Sequence, residues 1–206
     1  MLKIQIEEAS KRFQYEWIFK NLNLSLQSGD RLAVTGSNGS GKSTLLKCLS
    51  GSIPLTSGKI TYSLDSQAIS DSDWFKSLAI VAPYMELPEE FSLGELLDFH
   101  FKFKNPKNDL SKEKMIEILY LDQHIHKPVA QFSSGMKQRV KLGLALFSDV
   151  PLVFLDEPTS NLDKKGVSWY LDLIEAYSAE QILLICSNEP REFEFCQQKI
   201  SLEDYK

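Results

Sequence analysis

The sequence has few cysteines, and no two of them are spaced like a metal-binding or redox pair. Cys48, Cys186 and Cys196 are the only cysteines among its 206 residues, and no C-x-x-C motif occurs. An odd, scattered set excludes a disulfide framework and disfavours zinc, so buried reduced thiols are expected. Histidine is equally scarce, and the His124 and His126 pair lacks the i, i+4 spacing of a helical zinc site, which favours an exposed loop.

Long apolar runs and an excess of positive charge are also missing. No run approaches the ~18 apolar residues of a membrane span, and the first residues, MLKIQIEEASKRF, lack the apolar core of a secretory signal. The 23 basic and 28 acidic residues give a net charge of −5, which does not favour direct binding to nucleic acid. We therefore expect a cytoplasmic protein that reaches a membrane only through a partner.

Strand and helix patterns alternate along most of the chain. Strands are predicted at residues 2–6, 22–26, 31–36, 58–64, 78–84, 151–158 and 181–188. Helices are predicted at residues 42–51, 92–103, 111–123, 133–147 and 167–178. Such alternation is typical of an α/β fold with a mostly parallel sheet. The helical stretch from about 85 to 147 indicates a subdomain inserted into a core of 1–84 and 148–206, all within one domain.

The stretch GSNGSGKST matches the phosphate-loop motif G-x-x-x-x-G-K-[ST] in full and lies between a predicted strand and a predicted helix. Glycines let successive backbone N–H groups point inward as an anion nest, and the helix N-terminus adds partial positive charge. Lys42 is expected to reach the β- and γ-phosphates and Ser43 to bind Mg²⁺. The predicted nucleotide-binding residues here are Gly36, Ser37, Asn38, Gly39, Ser40, Gly41, Lys42, Ser43 and Thr44.

A second pair of functional side chains follows the apolar strand PLVFLDEP. Asp156 and Glu157 leave a run of four apolar residues at the carboxyl end of a predicted core strand, where ligands bind in open α/β sheets. Asp156 is placed to hold Mg²⁺ together with Ser43. Glu157 is placed to orient and deprotonate an attacking water. The pair therefore predicts hydrolysis of the nucleotide as well as binding.

The segment FSSGMKQR decides between the many classes of phosphate-loop protein. Its Ser-Ser-Gly run opens a helix whose first N–H groups are free to bind a phosphate. The segment resembles the LSGGQ signature of ATP-binding cassette (ABC) transporters. The following Asp-Glu-Pro-Thr and Ser-Asn-Leu-Asp runs resemble that family's extended second motif and D-loop, and the resemblance to the family covers essentially the whole chain. That resemblance implies a P-loop NTPase fold with a small N-terminal antiparallel β part. It also implies that Ser133, Ser134, Gly135 and Met136 complete the ATP site of another cassette.

The resemblance further implies a head-to-tail dimer with two ATP molecules between the subunits. Closing on ATP and opening after hydrolysis would drive a separate membrane-spanning subunit, with the cassette on the cytoplasmic face. Phe13 matches the aromatic residue that stacks on adenine in this family, although Tyr15 and Trp17 are near competitors. Because the chain ends at Lys206, soon after the last predicted strand, no regulatory domain or fused membrane part is expected.

Two positions depart from the family pattern. Tyr84 stands where the family has a glutamine that contacts Mg²⁺ and the attacking water, and Asn188 stands where it has a histidine. Asn188 can still donate a hydrogen bond to the γ-phosphate but cannot carry a positive charge. The main prediction is an ATP-hydrolysing subunit that drives a separate membrane transporter. These departures motivate one alternative, a degenerate cassette in a heterodimer, and a soluble ABC-type switch acting on ribosomes or DNA is a second alternative.

Overall fold

The computed structural model describes residues 1–65, 67–70, 74–107 and 110–206. Within these ranges the strands are β1 Leu2–Phe13, β2 Glu16–Gln27, β3 Arg31–Thr35, β4 Ser57–Leu64, β5 Gln67–Ala68, β6 Leu78–Val81, β7 Leu152–Asp156, β8 Ile182–Cys186 and β9 Gln198–Ser201. The helices are α1 Lys42–Leu49, α2 Leu93–His100, α3 Lys112–Leu119, α4 Ser134–Leu146 and α5 Lys164–Tyr177. None of the helices in these ranges is both long and apolar enough to cross a membrane.

The central sheet is parallel and has the strand order β6-β7-β8-β3-β9. Every pairing within it is parallel, and β7 and β8 are buried along their full length. Fully buried strands of this kind occur where both faces of a sheet are covered. The carboxyl ends of β3, β7 and β8 meet at one edge, so the phosphate loop, Asp156 and Asn188 emerge side by side. The predicted α/β fold with a mostly parallel sheet is confirmed.

A second sheet is antiparallel, with the strand order β2-β1-β4-β5. β1 continues well past the predicted residue 6, because a register shift between Ile6 and Ala9 interrupts its apolar alternation without ending the pairing. Glu8 adopts a left-handed conformation there, with φ of 49°. A shift of this kind places polar residues on a strand that an alternation rule ends early. The small N-terminal antiparallel part is therefore present and larger than the pattern indicates.

Each face of the parallel sheet has its own apolar core. α1 and the antiparallel sheet cover one face, with Leu45, Leu46 and Leu49 fully buried against strand residues such as Leu32 and Phe154. The three helices α2, α3 and α4 share a core with α5 and the other sheet face. The helices predicted between 85 and 147 are thus present, and their description as an inserted subdomain remains a prediction.

Several boundaries differ from the predicted ones for local reasons. α3 ends at Leu119 rather than near 123, because Tyr120 takes a left-handed conformation with φ of 56°. β6 ends at Val81, where a turn closes with the Met85 amide donating to the Ala82 carbonyl at 3.1 Å. Cys196 is only partly buried, which corrects the expectation of three buried thiols. Cys48 and Cys186 are buried as predicted.

Candidate nucleotide-binding and hydrolysis site

The phosphate loop has the glycine conformations that its motif requires. Gly36, Gly39 and Gly41 have φ values of 143°, 82° and 107°. At Gly41 a side chain is excluded by space as well as by conformation, since its Cβ would lie 2.2 Å from Cγ2 of Ile18 on β2. The loop is therefore packed on one side against the antiparallel sheet, while its other side stays open.

Lys42 begins α1 and folds its side chain back over the loop. Its Nζ donates to the Gly36 carbonyl at 2.6 Å and to the Ser37 carbonyl at 3.3 Å. The ammonium is nearly buried, so it lies beside the anion nest and is satisfied by carbonyls that a phosphate oxygen can replace. A cavity of about 260 Å³ opens here, lined by Asn38, Gly39, Gly41, Lys42, Ser43, Thr44 and Glu157.

Ser43 and Asp156 are brought together across the chain. The Ser43 hydroxyl donates to Asp156 Oδ2 at 2.6 Å. Burial raises the pKa of Asp156, and the charge of Glu157 adds to this effect, while the Ser43 hydrogen bond and the charges of Lys42 and Lys47 oppose it. A buried carboxylate next to a hydroxyl oxygen is a hard oxygen donor set of the kind Mg²⁺ prefers, and a divalent cation would offset the cost of the buried charge.

Glu157 follows Asp156 in a strained backbone conformation. Its φ is 48°, and its amide donates to the Cys186 carbonyl at 2.9 Å, which ties the strained residue to β8. The side chain is exposed and lines the cavity above Lys42. Strain at a non-glycine residue persists only where surrounding contacts hold it, and it concentrates at functional sites. The geometry therefore aims a carboxylate at the space over the loop.

Asn188 lies two residues after β8 and reaches the phosphate loop directly. Its Oδ1 accepts from the Gly36 amide at 3.1 Å, and its Nδ2 donates to Asn38 Oδ1 at 3.4 Å. The amide is therefore anchored on the first half of the loop. From this position Nδ2 can donate to a phosphate oxygen in place of Asn38 Oδ1, while Oδ1 keeps its hydrogen bond with the Gly36 amide.

Tyr84 packs against a lysine that sequence reasoning missed. The Nζ of Lys47 lies 4.2 Å above the Tyr84 ring, as a cation–π contact. Burial raises the pKa of Tyr84, and the charges of Asp156 and Cys186 raise it further. Lys47 lies one helical turn after Ser43 on α1, and that i, i+4 spacing was the available signal for its position.

The signature residues and Phe13 are not brought into this cavity. Ser133 caps α4 by accepting from the Met136 amide at 3.2 Å, and Ser133 and Ser134 are exposed. Gly135 is close-packed, since its Cβ would lie 3.1 Å from the Asn161 carbonyl. Phe13 is half exposed at the end of β1, with Lys11 Nζ 4.8 Å from its ring centre. All of these residues are described, and the cavity is lined by others.

The fold and this arrangement of loop, hydroxyl and paired acids define a P-loop nucleoside triphosphatase. A family model for ABC transporters matches residues 19–160. The chain therefore belongs to the ABC transporter family, in which it is an ATP-binding subunit and an ATPase.

Individual proteins agree with this assignment. An uncharacterised ABC transporter ATP-binding protein of Haemophilus influenzae is 30% identical over 96% of this chain and 80% of its own length. The lantibiotic transport ATP-binding protein SrtF of Streptococcus pyogenes is 30% identical over 91% and 80% of the two chains. A putative ABC transporter ATP-binding protein of Pyrococcus furiosus shares the fold with a TM-score of 0.83 at 22% identity, covering 99% of each chain.

The cassette MJ0796, solved as a dimer bound to ADP and Pi, also has the same fold. It matches with a TM-score of 0.80 at 20% identity, over 96% of this chain and 93% of that one.

Proposed function

We propose that two cassettes close head to tail on Mg²⁺ and ATP and thereby drive a separate membrane-spanning subunit, with this chain on the cytoplasmic face. The observation that carries the proposal is the one-sided site. The cavity over the loop is open above Lys42 and Glu157, while the exposed N-terminus of α4 lies away from it. A second cassette would supply the missing side, and the solved MJ0796 dimer shows that this fold can pair.

The residues present account for each part of the hydrolysis. The loop amides and Lys42 hold the β- and γ-phosphates, and Glu157 takes a proton from the water that attacks the γ-phosphorus. The bond from the γ-phosphorus to the bridging oxygen breaks, so that ADP and inorganic phosphate form. Ser43 and Asp156 would hold Mg²⁺, which supplies charge neutralisation on the phosphate oxygens. Asn188, held by the bond that its Oδ1 accepts from the Gly36 amide, donates from Nδ2 to a γ-phosphate oxygen.

A groove next to Tyr84 fits the expected membrane partner. It has a volume of about 300 Å³ and lies between β6 and the helices α2 and α4, with Met85 and Leu87 along one wall. Its lining is largely apolar, with Glu86 and Lys141 among the few charged groups. Since its walls come from the sheet and from the helical stretch, a cytoplasmic segment of a membrane subunit seated there would respond to movement between the two.

ATP-dependent pairing through the signature residues is the direct test. We expect the wild-type chain to become dimeric with ATP when hydrolysis is blocked, and Ser134→Asp to remain monomeric because its carboxylate would face the partner's γ-phosphate. An acid at the first position of α4 favours the helix, so folding is preserved. Sedimentation of each protein with and without ATP measures this.

The matched control for that test is Ser111→Asp. Ser111 caps α3 in the same way as Ser133 caps α4, with its hydroxyl accepting from the Lys114 amide at 3.2 Å, and aspartate is an equally good cap. It adds the same charge to a helix N-terminus without touching the signature. Dimerisation by Ser134→Asp would contradict the proposed role of α4. A wild-type chain that binds ATP and stays monomeric would favour a heterodimer with a second cassette.

Tyr84 offers a test of how the altered position affects turnover. We expect Tyr84→Gln to raise the rate of ATP hydrolysis about five-fold, because an amide oxygen is a neutral acceptor for water and metal, and one hydrogen bond is worth ~1 kcal/mol. Tyr84→Phe keeps the ring under Lys47 and serves as the control, with an expected rate near that of wild type. A lower rate in Tyr84→Gln would show that the tyrosine itself contributes to hydrolysis.

A further inference from the structure

The segment that follows β9, residues 202–206, contacts the phosphate loop at two peptide groups. Glu203 Oε1 accepts from the Ser37 amide at 2.9 Å. Lys206 Nζ donates to the Ser40 carbonyl at 2.9 Å. Leu202, which precedes Glu203, is fully buried, and its Cδ2 lies 3.4 Å from the position that a Gly41 Cβ would take. One short segment thus contacts the loop at both Ser37 and Ser40.

The two contacts match the polarity of the loop. A carboxylate accepts from an N–H group and an ammonium donates to a carbonyl, so each charge is paired with the favourable end of a peptide dipole. The pKa of Glu203 is lowered by the hydrogen bonds from the Ser37 amide and hydroxyl, and further by the charges of Lys206 and Lys42. Glu203 is therefore stabilised in its charged form by the loop itself.

A glycine-rich loop loses more conformational freedom than other segments when it is ordered. A loop that is already ordered before the nucleotide arrives binds more tightly, because the binding free energy is not reduced by the free energy of ordering the loop. We propose that Glu203 and Lys206 are positioning residues that hold the phosphate loop in its ATP-binding conformation. They act through Ser37 and Ser40, which do not line the cavity over the loop. Because this inference rests on the loop being the ATP site, its test must separate the two.

Glu203 has a second property that opposes the first. Its negative charge lies beside a loop that receives a polyanion, so the carboxylate would also repel phosphate. Glutamine separates the two effects, since Glu203→Gln keeps an acceptor for the Ser37 amide and removes the charge. Glu203→Ala removes both. Asp204→Ala is the matched control, because Asp204 is an exposed acid next to Glu203 and the charge change is the same.

The experiment is a titration of each purified protein with Mg²⁺ and ATP. We expect Glu203→Ala and Lys206→Met to raise the Kd for ATP about 3- to 10-fold, the loss of one ordering hydrogen bond. Glu203→Gln and Asp204→Ala should stay within about two-fold of wild type. An unchanged Kd in Glu203→Ala, a tighter one, or an equal rise in Glu203→Gln would overturn the proposal.

Amide hydrogen exchange on the nucleotide-free proteins provides the second readout. In Glu203→Ala the amides of residues 36–41 should exchange faster than in wild type, while those of the buried strands β7 and β8 should not change. A general loss of protection would show a structural role instead and would overturn the proposal. If wild type failed to bind ATP, the proposed site would be wrong, and the exchange result would still decide whether the segment orders the loop.

Discussion

Replacing Glu157 with glutamine should lower ATP turnover by at least about 100-fold and leave ATP binding intact. The side chain lines the cavity over Lys42 from a backbone held at φ of 48°, so glutamine can take the same position without new strain. The side-chain amide of the glutamine cannot accept the proton of the attacking water. ATP binding should be equal or slightly tighter, because one negative charge near the γ-phosphate is removed.

Phosphate release and ATP titration on the same preparation measure the two quantities separately. Glu175→Gln, an exposed residue on α5, is the matched control and should retain wild-type turnover. The Glu157→Gln protein should also remain longer in the ATP-bound dimer, because the step that opens it is slowed. Substantial turnover in Glu157→Gln would show that another group deprotonates the water, and Glu86 in the neighbouring groove would be the next residue to replace.

The parts of the site that follow from local pattern were predictable from the sequence. The phosphate loop needs a strand, glycines and a helix within a short stretch, and β3 and α1 flank it as the motif requires. Asp156 was predictable for a similar reason, since the carboxyl end of an apolar strand meets that of β3 at one sheet edge. Its hydrogen bond with Ser43, 113 residues away in the chain, follows from this topology.

The parts that depend on tertiary contacts were not predictable. β9 has only four residues, and none of them is fully buried, so neither alternation nor an apolar run marks it as a strand. It becomes a strand because β3 offers an unpaired edge. The contacts of Glu203 and Lys206 with the loop follow from that pairing, which carries them next to residues more than 160 positions earlier.

Replacing Lys42 with methionine should raise the Kd for ATP by at least about 100-fold, because two or more charge-assisted hydrogen bonds to phosphate are lost at ~1.5–3 kcal/mol each. Methionine keeps most of the apolar stem, and Gly36 and Ser37, whose carbonyls lose the ammonium, are not fully buried, so water can take its place. The nucleotide-free protein should therefore unfold at a temperature close to that of wild type.

The measurement is the unfolding temperature with and without Mg²⁺ and ATP. A ligand present at 100 times its Kd stabilises the folded state by ~2.7 kcal/mol, and at the same ATP concentration this stabilisation should fall to ~0.4 kcal/mol or less in Lys42→Met. Lys165→Met, at an exposed position on α5, should keep it. Glu157→Gln should keep it as well, because that substitution removes the base and leaves the phosphate contacts. If Lys42→Met kept the stabilisation, the loop amides would be sufficient to hold the phosphates, and the ammonium would act on the reaction rather than on binding.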